Sequence, residues 1–161
     1  MTFSEPSKLI VRAATLAEAG AIAALLRQAF LAYEPLYTPA AFAATTPTAD
    51  QIRQRWYEGP VWVALLAPEL VGTVAAAPQA QGLYLRSMAV HPQARGQGSG
   101  QALLAHVEGY ATAHGFKRMY LSTTPFLADA IRLYERCGFA RSNDGPFDLC
   151  GTPRFTMEKL L

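Results

Sequence analysis

Apolar residues along this chain recur at helical spacing in some stretches and form short continuous runs in others, and the alternation of the two patterns predicts helices and strands in turn. Residues 9–12 read as a short opening strand. Thr15 and Glu18, three positions apart, have the sequence of a capping box, so a helix is expected from there. Its apolar positions Ile22, Leu25, Leu26, Ala29, Phe30 and Tyr33 fall on one stripe, and Pro35 stops it. A second capping box, Thr48 with Gln51, opens a shorter helix carrying Ile52 and Trp56 to about Glu58, where Gly59 and Pro60 end it.

The spacing then changes. Residues 61–66 and 70–76 are rich in branched side chains and are separated by Ala67, Pro68 and Glu69, which reads as two strands joined by a turn. Residues 83–90 form another strand. Leu103, Leu104, Val107, Tyr110, Ala111 and His114 share one helical face that meets Gly115, a suitable C-terminal stop. Residues 119–123 read as a buried strand, residues 127–137 as a last helix ending at Gly138, and residues 139–141 and 154–159 as closing strands. This order predicts one α/β domain over residues 1–161, a mixed sheet covered by helices.

Composition narrows the class. With 161 residues and half of them hydrophobic, the chain can bury the core of one domain, and two would be cramped. A net charge of +2 with no basic run argues against a nucleic-acid partner. The two cysteines, Cys137 and Cys150, provide no zinc spacing and read as reduced, structural thiols. Residues 1–8 lack a basic stretch leading into a long apolar one, and the apolar runs fall short of a membrane span. The expectation is a cytoplasmic protein without a membrane partner.

Chemistry enters at Arg95-Gly96-Gln97-Gly98-Ser99-Gly100, which follows a strand and opens a helix. Glycine lets backbone N–H groups approach an anion, and the first turn of a helix leaves several of them unpaired beside the positive end of the helix dipole. The dinucleotide spacing fails because Gln101 stands where a third glycine is needed, and no Gly-Lys-Ser/Thr follows for a nucleoside-triphosphate loop. A nucleotide-binding domain is thereby disfavoured. The pattern Arg95-x-x-Gly98-x-Gly100, after Val90-His91-Pro92, resembles the acetyl-CoA pyrophosphate loop of the GNAT family of N-acetyltransferases. Downstream, Leu133-Tyr134 with Gly138-Phe139 resembles the helix end L-Y-x-x-x-G-F of the same family.

The resemblance implies a GNAT-like sheet whose strands at residues 83–90 and 119–123 splay apart to form the CoA cleft. It implies that the backbone of Met88, Ala89 and Val90 lines pantetheine and that Arg95, Gly96, Gln97, Gly98, Ser99 and Gly100 hold the pyrophosphate. Tyr134 would face the CoA sulfur as the catalytic acid, with acetyl-CoA as co-substrate and a small-molecule amine as acceptor. Members often dimerise, so a homodimer is a compatible assembly. Two departures stand out. The family often has Asn early in the last helix, where Thr124-Pro125-Phe126 stands here, leaving Thr123 or Thr124 to replace its hydrogen bond. The family also often supplies a Glu base from the strand at residues 83–90, which here has no carboxylate. Glu34 and Asp148 are the candidates elsewhere, though each reads first as a solvated or structural acid, and His91 could relay a proton, though a loop histidine is usually just exposed. His106 and His114 have no acidic partner at ligand spacing, so no metal is expected. Aromatic residues Tyr33, Tyr37, Phe42 and Trp56 suggest an acceptor pocket with an apolar part. An acyl-CoA sensor without chemistry and a peptide N-acetyltransferase remain alternatives.

Overall fold

The computed structural model describes residues 8–161, so the N-terminal stretch read for a targeting signal lies, but for Lys8, outside it. The sheet is built from β1 (Leu9–Ala13), β2 (Val61–Leu66), β3 (Glu69–Gln79), β4 (Gly82–Val90), β5 (Arg118–Thr123) and β8 (Thr152–Leu160), with the two-residue β6 (Ala140–Arg141) at its far edge and β7 (Phe147–Leu149) also paired to β8. The order β1-β2-β3-β4-β5-β8-β6 is antiparallel except for the pair β4–β5, which makes the sheet mixed as expected. Two layers of helix cover it. One is α1 (Ala19–Phe30) with α3 (Ala49–Arg55), and the other is α4 (Ser99–Ala113) with α5 (Ala128–Arg136).

Both capping boxes form. Thr15 N–H donates to Glu18 Oε1 at 2.8 Å and Thr48 N–H to Gln51 Oε1 at 2.9 Å. The first opens a 3-10 turn, Leu16–Glu18, that runs into α1, and after Phe30 the chain tightens to 3-10 again through Pro35, because proline has no N–H to continue the α ladder. The run Leu16–Leu36 has 21 residues, with a stretch inside it at mean hydropathy 1.2, and is long and apolar enough by length and composition to cross a membrane, which corrects the expectation that the apolar runs fall short. In this fold Ile22, Leu25, Leu26 and Ala29 are buried, most of them against Val61, Val63 and Ala89 of the sheet.

The opposite face holds the larger core. Leu83, Leu85, Met119 and Leu121 point from β4 and β5 toward Leu103, Leu104 and Val107 of α4, as the helical stripe in the sequence predicts. His114 departs from that stripe: it lies exposed at the end of α4, stacked on Tyr110 at 4.0 Å. Two elements were not anticipated. A short helix α2 (Pro39–Thr45) is capped by Thr38, and the hairpin β7–β8 turns through Cys150 and Gly151, both at positive φ as a two-residue turn of the mirror-image type demands. Both cysteines are free thiols, but Cys150 is exposed in this turn rather than buried.

Candidate active site

A break in the sheet sets the site. β4 and β5 pair only at Leu83–Met119, Tyr84–Tyr120 and Leu85–Leu121, and beyond these the strands separate. The cause lies on the other edge of β4. Between Thr73–Ala89 and Ala75–Arg86 the register slips by one residue, and Ser87 in the bulge takes a φ of 51°. Such a bulge bends its strand and frees one edge from its neighbour. Met88, Ala89 and Val90 follow the bulge and line a cleft of about 540 Å³.

The glycine loop closes this cleft. Gly98 is the N-cap of α4 at φ 85° and ψ 5°, and a Cβ built on it meets nothing within 4 Å. Its glycine is therefore required by backbone conformation and not by crowding. Gly96 is also left-handed, at φ 80°. Ser99 is 2% exposed, and its hydroxyl is buried without a hydrogen-bond partner at the first turn of a 15-residue helix. Such an orphan donor beside unpaired N–H groups suits an anion. Gly100 has a different reason for being glycine: a Cβ there would stand 2.7 Å from Leu133 Cδ2, so its small size brings α4 and α5 together.

Of the residues expected in the site, Met88, Ala89, Val90, Arg95, Gly96, Gly98, Ser99, Gly100 and Tyr134 all line this one cleft. Gln97 is exposed on the loop and does not line it. Arg95 donates to the carbonyl of Ala29 at 3.3 Å, tying the loop to the end of α1. From α5 the cleft receives Asp129, paired with Arg132, and Arg136.

Tyr134 lies on α5 and is 8% exposed. Burial first, and then nearby Tyr37, push its hydroxyl well above the ordinary tyrosine range, so it remains protonated at any working pH. Tyr37 is also raised, by burial, while the hydroxyls of Thr124 and Thr45 pull the other way. Around them Tyr37 stacks edge-on to Phe126 at 4.8 Å, with Tyr33 and Phe42 completing an aromatic cluster. Thr38 fastens this cluster to the β7–β8 turn, its hydroxyl donating to the carbonyl of Cys150 at 2.6 Å. Trp56 does not join it and packs in the core under α1. At the freed end of β5 the Thr123 hydroxyl is buried without a partner, and that of Thr124, also buried, faces the Tyr37 hydroxyl.

No acid stands as an evident base. Glu34 is exposed, and Asp148 is exposed and accepts the N–H of Gly151 at 2.8 Å. His91 caps the 3-10 turn after β4, its Nδ1 accepting from Gln93 N–H at 3.1 Å, and His106 packs edge-on to Trp62. Among the described residues no group of three or more His, Cys, Asp or Glu is arranged to hold a metal.

With this geometry in view, the relatives can be placed. Residues 25–139 match the model of the acetyltransferase (GNAT) family. The chain is 34% identical over 141 residues to the uncharacterized N-acetyltransferase YjgM of Escherichia coli K12, covering 83% of each chain. It is 34% identical over 102 residues to N-acetylaspartate synthetase of Danio rerio, covering 62% of this chain but only 36% of that longer protein. The fold matches the PaiA N-acetyltransferase of Thermoplasma acidophilum, solved with coenzyme A, at TM-score 0.80, 16% identity and coverage of 96% and 99%. It matches YncA of Salmonella typhimurium, solved with acetyl-CoA, at TM-score 0.73, 23% identity and coverage of 95% and 94%. The length and identity of these matches, together with the broken strand pair and the glycine-capped helix, establish that the chain belongs to the GNAT family of acetyltransferases.

Proposed function

We propose that this chain transfers the acetyl group of acetyl-CoA to a primary amine of a small molecule, by direct attack within a ternary complex. One observation carries the reading: a single cleft joins the N-terminus of α4, the freed edge of β4 and the hydroxyl-bearing side chain of Tyr134. The residues present fit coenzyme A. Ser99 and the first-turn N–H groups of α4 serve the pyrophosphate, with the backbone of Gly96, Gln97, Gly98 and Gly100 around it and Arg95 adding charge. The unpaired edge at Met88, Ala89 and Val90 offers N–H and carbonyl groups to the pantetheine amides.

The amine attacks the thioester carbonyl, and the CoA thiolate leaves. A thiol of ordinary pKa near ~8.5 is already a fair leaving group, while a tyrosine starts near ~10 and Tyr134 is higher still, so Tyr134 stabilises the departing sulfur by donating a hydrogen bond and keeps its proton. Deprotonation of the amine goes through water, since the one carboxylate on the cleft, Asp129, is engaged with Arg132. A lysine-like amine of pKa ~10.4 requires about 4–5 kcal/mol for this at pH 7, so the rate should rise with pH toward the amine's own pKa. Positioning in the cleft contributes much of the remaining acceleration.

The aromatic cluster of Tyr33, Tyr37 and Phe126, closed off by the β7–β8 turn, supports a small acceptor with an apolar part. A relative named for making N-acetylaspartate supports an amino-acid-like one. The test is release of free thiol from acetyl-CoA across a panel of small amines, polyamines and histone-like or ribosomal peptides. Turnover with small amines is expected. Acetylation of peptides alone would replace the small-molecule reading, and tight CoA binding with no turnover on any amine would make the protein a sensor.

A further inference from the structure

Five side-chain polar atoms among the described residues are buried without a hydrogen-bond partner, and only Ser99 Oγ belongs to the anion loop. The other four are Arg86 Nε on β4, Thr123 Oγ1 at the end of β5, Thr124 Oγ1 just beyond it and facing the Tyr37 hydroxyl, and Arg154 Nε on β8, and of these Arg154 alone lines a groove. Buried donors are nearly always satisfied, so an orphan on the wall of a groove marks a place where a ligand can supply the acceptor.

The sheet's register orders them. In the pairing of β5 with β8, Ser122 faces Thr156 and Thr123 faces Phe155, so Arg154, two residues from Thr156 on β8, lies on the same face of the sheet as Ser122 and Thr156. Arg154 also lines an open groove on the sheet together with Tyr84, Tyr120, Ser122 and Thr156. This is the face that α1 and α3 leave bare, since they cover β2, β3 and the end of β4. The groove's other arginine is already neutralised: Arg118 donates to Glu158 at 2.5 Å and to Asp144 at 2.9 Å, and lies over the Tyr120 ring at 4.5 Å. Arg86, next to the groove, is paired with Glu58. Among the described residues no carboxylate pairs with Arg154.

We propose that this groove is the acceptor's anchoring site and that Arg154, with the hydroxyls of Ser122 and Thr156 on the same groove, binds a carboxylate carried by the amine substrate. The inference rests on the acetyltransferase reading and narrows its acceptor to amino acids and related amino carboxylates. A planar guanidinium suits a carboxylate because it donates two parallel N–H groups. Arg154 is a positioning residue: it holds the acceptor so that the amine reaches the gap between β4 and β5, and takes no part in bond making.

The test compares phenylalanine, leucine and methionine, each beside the amine that lacks its carboxylate, in steady-state kinetics with acetyl-CoA. In the wild type kcat/KM should favour the carboxylate member. In Arg154→Gln the ratio within each pair should fall by roughly 10- to 100-fold, mainly through KM, while the KM for acetyl-CoA holds. Arg154→Lys should recover part of the preference if the first variant folds poorly. A wild type that favours the carboxylate-free amines, or an Arg154→Gln protein that loses both members of a pair equally, overturns the proposal and leaves the acetyltransferase reading intact. Absence of turnover on every amine, with CoA still bound, overturns that reading instead. Calorimetry of the same amino acids on the CoA-loaded protein then decides: binding that Arg154→Gln abolishes supports the anchor, and absent or unchanged binding refutes it.

Discussion

Tyr134 and Gly98 carry the most chemistry for their size. In the proposed reaction the buried, raised Tyr134 hydroxyl serves as a hydrogen-bond donor only, so Tyr134→Phe should lower kcat by about 10- to 100-fold, the lower part of the range for acid catalysis, with the KM for acetyl-CoA nearly unchanged. Wild-type turnover in that variant, with an amine for which chemistry limits the rate, would return Tyr134 to a packing role. At Gly98 a side chain has space but the wrong backbone hand, and asparagine tolerates that hand about as well as aspartate does. Gly98→Asp should therefore weaken CoA binding far more than Gly98→Asn, since only the former adds charge against the pyrophosphate. Calorimetry showing equal affinities would remove the anion from this loop. The place of both residues on the cleft was legible in the sequence, that of Gly98 because a glycine pattern before a helix has few physical explanations and that of Tyr134 only through the family resemblance. Gly100 was legible as a position but not as a cause, since its contact with Leu133 joins residues far apart in the chain. Arg154 was not legible at all, because an arginine in a strand shows nothing of whether a carboxylate faces it.

The capping segments are the elements whose energetics depend most plainly on pH. Glu18 is held down to about 2, chiefly by the side chain of Arg12, which donates from Nη1 at 2.8 Å and from Nη2 at 2.9 Å, and also by the N–H of Thr15. Its folded pKa lies below the unfolded value, so the stability it contributes is present above about pH 4.3 and is lost as pH falls toward 2. Arg12 is 42% exposed and solvent screens the pair, which leaves only a small contribution. Glu18→Gln should then melt about 2–4 °C lower at pH 7, with the difference vanishing toward pH 2. A constant difference across that range would sink the assignment. Gly100→Ala should lose about 1–3 kcal/mol to overpacking, and Leu133→Ala in the same chain should recover part of it. Of the elements themselves, the long periodic ones were read correctly and the short ones were not. Helix α2 has seven residues, and its signal, Thr38 before Pro39, was present but lacked an apolar stripe to confirm it. Strand β7 has three residues and is held by the turn at Cys150 and Gly151, a pair whose positive φ values the letters do not announce.

On the scale of the molecule, function follows from one irregularity in an otherwise continuous sheet. The bulge at Ser87 swings β4 away from β5, the gap exposes backbone, and the helix that follows β4 delivers its N-terminus to the same cleft. The mixed sheet and its helical layers could be anticipated from the order of patterns, and the splay from the family resemblance. The bulge itself could not, because Arg86-Ser87-Met88 has no glycine to mark it. In the proposed reaction a cleft of this form brings the two substrates together and transfer takes one step. The measurement that tests this most directly varies acetyl-CoA against an accepted amine in initial-rate experiments. Intersecting double-reciprocal lines, one N-acetylated amine per free thiol and no acetyl group left on the protein are the results expected. Parallel lines, with acetylated protein accumulating when the amine is withheld, would contradict direct transfer in this cleft.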